Sequence, residues 1–152
     1  MSGHLIIVLR DHRGQVVAQH QVNNLITTAG KTLVAELFTG ALQGGLEFFI
    51  AVGDGTGKEA ATDTDLRHRL DKAAAATPEI RSVNKEGQQQ VVAKVEVTLL
   101  ALGADQQPQS LSEAGILITL PNGREVLYNR VTFPVVTRTS ILDMTLTWEV
   151  LF

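Results

Sequence analysis

A glycine-rich stretch is the first part of the chain whose residue types could do chemistry. "AVGDGTGKEA", residues 51–60, follows the apolar run "LEFFI" and combines three glycines with Asp54 and Lys58. Such a loop wraps phosphate groups with its backbone amides when it leads into a helix and carries Gly-Lys followed by Ser or Thr. The alternative is a tight turn after a strand.

The phosphate pattern fails at the positions that the chemistry requires. Glu59 follows Lys58 where a magnesium-binding hydroxyl is needed, and Val52 stands where the first glycine belongs. The segment "EAATDTD" has no apolar periodicity, so no helix N-terminus is predicted there. The glycine spacing also misses the third interval of a dinucleotide-binding fingerprint. We interpret the three glycines as turn formers that use the free φ of glycine: Gly53, Gly55 and Gly57.

Carboxylates and histidines are the candidate metal ligands of the chain. Three aspartates near the glycines could gather a divalent cation, but their spacing does not match an EF-hand loop, and turn-forming or helix-capping roles are the preferred interpretation: Asp54, Asp63 and Asp65. No histidine pair has helical spacing. Two of the first three could face each other across a hairpin without a third ligand: His4, His12 and His20. We predict no metal and no cofactor.

No catalytic constellation emerges from the remaining residues. The chain has no cysteine, which excludes disulfides and thiol catalysis, and no serine lies in a GxSxG elbow. Paired carboxylates for glycoside chemistry stay open, although one tryptophan and one tyrosine leave little to stack a sugar. Arg67 and Arg69 beside His68 are largely neutralised by nearby aspartates, which favours a solvated face. We predict that the protein is not an enzyme.

Composition limits the classes of partner. A length of 152 residues fits one β-rich domain spanning 1–152. The net charge of −3 and pI near 5.8 argue against nucleic acid and against an anionic membrane as partners. The N-terminal apolar run is too short for a signal sequence or a membrane span, so we expect synthesis and assembly in a cytoplasm. Charged residues make up only 19% of the chain, which leaves apolar area for partner subunits.

The apolar patterning predicts the elements that position these residues. A hairpin is expected over 4–22 and a helix over 28–39, capped by Thr27 or Thr28, with one apolar stripe toward a sheet: Leu33, Val34, Leu37 and Phe38. A short strand covered on both faces follows at 46–52, and Leu66 and Leu70 give at most one helical turn.

Extended structure is expected from Ala73 onward, interrupted at Pro78. A turn at 84–87 leads to the best strand signal in the chain, 88–102, and loop residues 103–112 follow. Three further strands are predicted at 113–120, 125–136 and 140–152, with a turn at 121–124. Seven or eight strands and one helix indicate a mainly β protein, an antiparallel sandwich or barrel-like domain with one helix packed against it.

The order of several short motifs resembles a group of small tailed-bacteriophage virion structural proteins. "VNNLITTAGKTLVAELFTGA", "FFIAVGDGTGKEAATDTDL", "SEAGILI", "GREVLYNRVTFPVV" and "LTWEVLF" follow one another as in that group, from about residue 22 to the end. The matching positions are Val52, Gly53, Gly55, Thr62 to Leu66, Glu113 to Gly115, Arg130, Phe133 and Trp148. Lys58-Glu59 and "LRHRL" depart from the pattern.

The resemblance implies a non-enzymatic virion (tail) component in a tail, baseplate, collar or fibre-attachment position. Related contractile injection particles use similar parts. The implied partners are other virion proteins and the protein itself, as a homo-oligomer. We expect loop 53–68 to be the contact surface, through Gly53, Asp54, Gly55, Lys58, Asp63, Asp65 and Arg67, with Trp148 and Phe133 as core anchors.

Two alternatives stay open. A ligand-binding β-module for a carbohydrate or receptor would need exposed aromatic residues, and an aromatic content of 5% counts against it. The terminal run "WEVLF" either offers apolar surface to a neighbour or completes the core of its own subunit.

Overall fold

The computed structural model describes residues 1–74 and 77–152, and in these the chain forms two antiparallel five-stranded sheets and one helix. The elements in chain order are β1 (Ser2–Arg10), β2 (Val16–Asn23), β3 (Leu25–Ile26), α1 (Thr28–Phe38), β4 (Glu47–Gly53), β5 (Arg69–Ala74), β6 (Glu79–Lys85), β7 (Gln88–Leu99), β8 (Gln109–Thr119), β9 (Glu125–Arg138) and β10 (Asp143–Leu151). The first sheet has the order β2-β1-β10-β7-β6 and the second β3-β9-β8-β4-β5. The predicted fold class, an antiparallel β-sandwich with one helix, is confirmed.

The predicted number of strands was too low. The described residues contain ten strands, including β3 and β5, which the sequence patterns did not reveal. Leu66 and Leu70 do not form a helical turn, because Leu66 lies in a loop and Leu70 belongs to β5. The extended segment expected between Ala73 and Pro78 includes residues 75–76, which lie outside the described residues. β8 begins within the predicted loop 103–112, at Gln109.

The core lies between the two sheets and follows the alternation of the strands. β10 buries every second side chain, Met144, Leu146, Trp148 and Val150, as its sequence predicts. Trp148 is fully buried and Phe133 nearly so, which confirms both as core anchors. The terminal run "WEVLF" fits both alternatives. Val150 completes the core of its own subunit, and Phe152, which is 57% exposed, leaves apolar surface open to a neighbour.

Helix α1 starts where the capping residues predict. Thr27 is the N-cap: its Oγ1 accepts a hydrogen bond from the Gly30 amide at 2.9 Å and donates one to the Leu127 carbonyl. A Cβ on Gly30 would lie 2.3 Å from the Tyr128 carbonyl oxygen, so only glycine allows this helix to lie so close to β9.

The prediction that the apolar stripe of α1 packs on the sheet is only partly correct. Leu33 is buried, but Leu37 is 40% exposed and Phe38 is 91% exposed. The sheet covers the helix face that carries Gly30 and Leu33, and the last turn is left open to solvent. No helix in the described parts of the chain has the length and apolar character needed to cross a membrane.

Candidate functional site: a buried ion-pair cluster and an apolar cleft

Two charged residues face each other inside the second sheet. Glu113 lies on β8 and Arg130 on the neighbouring β9, where Arg130 stands opposite Gly115. Residues two apart on a strand share a face, so Glu113 and Arg130 are diagonal neighbours. Neither side chain has any exposed surface. A charge in such a position requires compensating partners.

The guanidinium of Arg130 is bonded on all three of its nitrogens. Its Nε and Nη2 each lie 2.8 Å from Oε2 of Glu113, and its Nη1 lies 3.1 Å from Oδ2 of Asp63. Nη2 also donates to the carbonyl of Gly57 at 3.3 Å, and Nη1 approaches that of Lys58 at 3.5 Å. Arg130 is thus held by two carboxylates and by the backbone of the glycine-rich loop.

Glu113 in turn holds both ends of loop 53–68. Its Oε1 accepts the amides of Gly55 at 3.1 Å and His68 at 2.8 Å, and its Oε2 accepts the Arg67 amide at 3.1 Å. The neighbouring Ser112 donates its hydroxyl to the Gly55 carbonyl at 3.0 Å. One buried carboxylate therefore ties the first and last turns of the loop to β8.

Asp63 and Glu59 fix the middle of the loop. Asp63 accepts the Ala60 amide at 2.9 Å, and Glu59 accepts the Thr132 hydroxyl at 2.7 Å. Burial alone would raise the pKa of Glu59, but the hydrogen bonds from Thr132 and the charge of Arg130 hold that pKa below its usual value. Glu59, which occupies the position of a phosphate-loop hydroxyl, is thus an ionised anchor of the loop.

This geometry explains what the glycine-rich stretch does. The amides of Gly55, Arg67 and His68, which a phosphate-binding loop would offer to a ligand, are already bonded to Glu113. The loop is wrapped around an internal carboxylate rather than left open for an anion.

The interpretation of the three glycines as turn formers is wrong for two of them. Of the three, only Gly57 has a positive φ, 102°, as a turn former does. A Cβ on Gly53 would lie 2.2 Å from the His68 carbonyl oxygen, and one on Gly55 would lie 2.2 Å from Oε1 of Glu113. Gly53 and Gly55 are needed for close approach to other parts of the site, which sequence spacing does not distinguish from a turn.

The seven residues expected on the contact loop divide by burial. Three of them, Gly53, Gly55 and Asp63, are buried and serve the cluster. The other four are exposed on the loop surface: Asp54, Lys58, Asp65 and Arg67. The contact surface predicted at this loop thus reduces to those four side chains.

The aspartates of the loop contact different side chains instead of forming one site. Asp54 contacts His68, Asp65 lies 3.3 Å from Nη2 of Arg69, and Asp63 contacts Arg130. In the described residues, no three or more His, Cys, Asp or Glu side chains are grouped so that they could hold a metal ion. The expectation that two of these histidines face each other across the hairpin is wrong for the described strands. The cross-strand register places asparagine opposite His4 and isoleucine opposite His20.

The sequence analysis did not predict that Glu113 and Arg130 form a buried ion pair, although both residues lie in the quoted motifs. The available signal was a charged residue within an otherwise apolar strand, as in "SEAGILITL" and "LYNRVTF". Such a residue is expected to be paired when the strand is buried on both faces.

A second feature is a cleft between the two sheets at the side covered by α1. Its volume is about 540 Å³, and its deeper wall is made of buried apolar side chains, including Leu33, Ile116 and Val150. Four exposed residues lie at its mouth: Leu37, Ile80, Val91 and Phe152. Among the described residues that line the cleft, Tyr128 alone has a polar side-chain group, and burial raises its pKa. We call this feature the apolar cleft.

Comparison of the chain with protein-family models, curated proteins and solved structures found no match.

Proposed function

We propose that the protein is a non-enzymatic structural subunit that docks neighbouring protein subunits through its exposed loops, its edge strands and the apolar cleft. The observation that carries the proposal is the cleft, whose mouth exposes Leu37, Ile80 and Phe152 to solvent. Contiguous apolar surface of this kind marks interaction sites in soluble proteins.

The polar groups support the same proposal. In the described residues, the buried charges are Asp63, Glu113 and Arg130, and each is bonded to another charge or to backbone. A catalytic group must come within hydrogen-bond reach of a substrate, and these three side chains are buried. The cluster instead holds a surface loop in one conformation, and a fixed loop loses less entropy when it binds a neighbour.

The finer assignment, a tail, baseplate, collar or fibre-attachment part of a phage virion, rests on the order of the sequence motifs. The structure adds one supporting observation. Gly55, Glu113 and Arg130, which come from three separate motifs, belong to a single hydrogen-bonded cluster, and Gly53 lies in close contact with it. Positions that act together in one site are better interpreted as one pattern than as unrelated short matches.

The proposal is tested by incorporation into particles. A tagged chain is expressed in the organism that encodes it, and the lysate is fractionated on a density gradient. We expect the chain in the particle fraction at a fixed stoichiometry, and we expect Ala93→Trp, which fills the cleft, to shift it to the free fraction. Thr98→Trp, at an exposed position of the internal strand β7, is the matched control and should still be incorporated. A wild-type chain found only in the free fraction would contradict the proposal.

One observation favours a ligand-binding module as the second candidate. The volume of the cleft lies within the roughly 300–1,000 Å³ typical of small-molecule sites. Its lining suits an apolar ligand better than a carbohydrate, because stacking platforms for sugars are aromatic and exposed. Saturable one-to-one binding of 1-anilinonaphthalene-8-sulfonate, lost in Ala93→Trp, together with absence from particles, would favour this candidate.

A further inference from the structure

We propose that β6 pairs with β6 of a second copy of the chain, so that two sandwiches form a closed dimer with one continuous ten-stranded sheet. The inference rests on the proposed assembly function and names one of its partners. Two observations support it: all residues of β6 are exposed, and its charged residues are placed so that two copies can pair with opposite charges facing each other.

In the residues that the structure describes, β6 is an edge strand with one side unpaired. All seven of its residues are exposed, and in the described part of the chain the strand pairs with β7 alone. An exposed edge presents unpaired backbone N–H and C=O groups that pair readily with another strand. An edge of seven residues is long enough to form a complete ladder with a copy of itself.

The two charged ends of β6 are complementary to each other in antiparallel pairing. In antiparallel pairing about a two-fold axis at Ser82, Glu79 of one copy stands opposite Lys85 of the other, and this pair occurs twice. The axis must be normal to the sheet, so opposite residues share a face. Arg81 then stands opposite Val83, and Ser82 opposite Ser82. Opposite charges across strands favour pairing.

The neighbouring face-preserving registers are disfavoured by the same charges. An axis at Arg81 places two arginines opposite each other, and an axis at Val83 places Arg81 opposite Lys85 twice. Like charges directly opposite on paired strands are destabilising. Of these three registers, the one centred on Ser82 is the one that brings opposite charges together, and it pairs all seven residues of β6.

The apolar surface beside β6 gives this pairing a larger contact area. Ile80 shares its face with Ala93 of β7 and lines the apolar cleft, yet it is 79% exposed. Leu37, Val91, Phe152 and Ile80 together expose on the order of 400 Å² at the mouth. A stable interface needs about 800 Å² on each partner, a little more than half of it apolar. The mouth would supply about half of that area beside the strand edge.

The absence of cysteine from the chain permits a direct test of the register. Residues directly opposite in an antiparallel pair have Cα atoms about 4.5–5.5 Å apart, which is within disulfide reach. We expect Ser82→Cys to form a disulfide-linked dimer on mild oxidation. Asn84→Cys, on the same face of β6, is the matched control and should stay uncrosslinked, since the two copies of residue 84 lie four positions apart. A crosslink at Asn84→Cys and none at Ser82→Cys overturns the proposed register.

Charge reversal tests the same pairing by light scattering behind a sizing column. The wild-type chain of 16.4 kDa should run at twice that mass. Lys85→Glu should raise the dissociation constant about tenfold, and the double variant Glu79→Lys/Lys85→Glu should restore it. Glu79 also contacts Arg81 at 2.7 Å within its own subunit. Lys85→Glu is therefore the cleaner single change, with Arg13→Glu in the exposed β1–β2 turn as control.

The dimer and the assembly function can fail separately. A wild-type chain that is monomeric by light scattering and gives no Ser82→Cys crosslink overturns the dimer. Incorporation into particles, measured in the gradient experiment, does not depend on that result. A dimer that Lys85→Glu does not weaken also overturns the inference, because it must use another surface.

Discussion

Glu113 and Arg130 form a fully buried ion pair across two neighbouring strands, with Nε and Nη2 of Arg130 both 2.8 Å from Oε2 of Glu113. Buried ion pairs often add little net stability, because desolvation offsets the attraction. Here the carboxylate also accepts three backbone amides from loop 53–68. The pair is therefore best understood as the device that fixes a surface loop.

Replacing Glu113 by Gln is expected to lower the free energy of unfolding by about 3 kcal/mol, because Arg130 loses the nearer of its two counter-charges while it stays buried. Urea unfolding measures the change. Glu36→Gln is the matched control: Glu36 lies 3.6 Å from Arg124 on the surface, and its loss should cost less than about 1 kcal/mol. Equal losses in the two variants would contradict a structural role for the buried pair. Faster amide exchange at Gly55 and His68 should accompany the loss in Glu113→Gln.

Gly53→Ala is expected to destabilise the protein by about 2 kcal/mol, since the added Cβ would lie 2.2 Å from the backbone oxygen of His68. That oxygen accepts the Asp54 amide at 3.3 Å, so it cannot move away without disturbing the junction of β4 and β5. Gly45→Ala is the control, because a Cβ added there would have no atom within 4 Å and the φ of Gly45 is not positive. Thermal unfolding of both variants checks the difference. If Gly53→Ala were as stable as Gly45→Ala, the backbone at the junction of β4 and β5 would be able to move away from the added methyl group at little cost, and the prediction would be wrong.

Much of the fold could be predicted because local pattern and tertiary role agree. β10 alternates buried and half-exposed residues along its whole length, and Thr27 stands at the start of α1. β5 could not be predicted in this way. Arg69 and Lys72 both reach Glu125 on β9, at 2.8 and 2.7 Å, so its polar residues are placed by tertiary ion pairs. Its strand conformation is imposed by pairing with β4 and not by apolar alternation.

The ion-pair cluster was harder to predict because its members are far apart in sequence. Asp63 lies 50 positions before Glu113, and Glu113 lies 17 before Arg130. Only the register of β8 against β9 brings the last two together. The polar residues of the glycine-rich stretch therefore suggested a ligand, since their actual partner could not be identified from local spacing.

Thr27→Val is expected to lower the free energy of unfolding by about 1–2 kcal/mol. Thr27 is fully buried, and valine would leave the Gly30 amide and the Leu127 carbonyl without this partner. Thr27→Ser keeps the hydroxyl and should recover most of the stability, which separates loss of the cap from loss of a methyl group. Urea unfolding followed by far-ultraviolet circular dichroism gives both values. A Thr27→Val protein as stable as the serine variant would mean that the hydroxyl is not needed.

His68 and Asp54 predict a pH dependence at the surface of the loop. The hydrogen bond between the His68 ring and Asp54, together with the charge of that carboxylate, raises the pKa of His68 above its ordinary value near 6.5. A pKa raised by folding means that the protonated pair stabilises the fold fully below the unfolded pKa. That contribution is lost as pH rises through the folded pKa. We expect the ring resonances of His68 to titrate at higher pH than in Asp54→Asn, as measured by NMR.

The stability difference between wild type and Asp54→Asn should depend on pH over the range in which His68 titrates. Asp54→Asn should lower the unfolding temperature relative to wild type at about pH 5.5, and the difference should shrink as pH rises past the pKa of folded His68. Because His68 is exposed, the effect should also weaken at high salt. In a His68→Gln background, Asp54→Asn should produce no difference that changes with pH across this window. A difference that persists there would assign the pH dependence to another partner of Asp54.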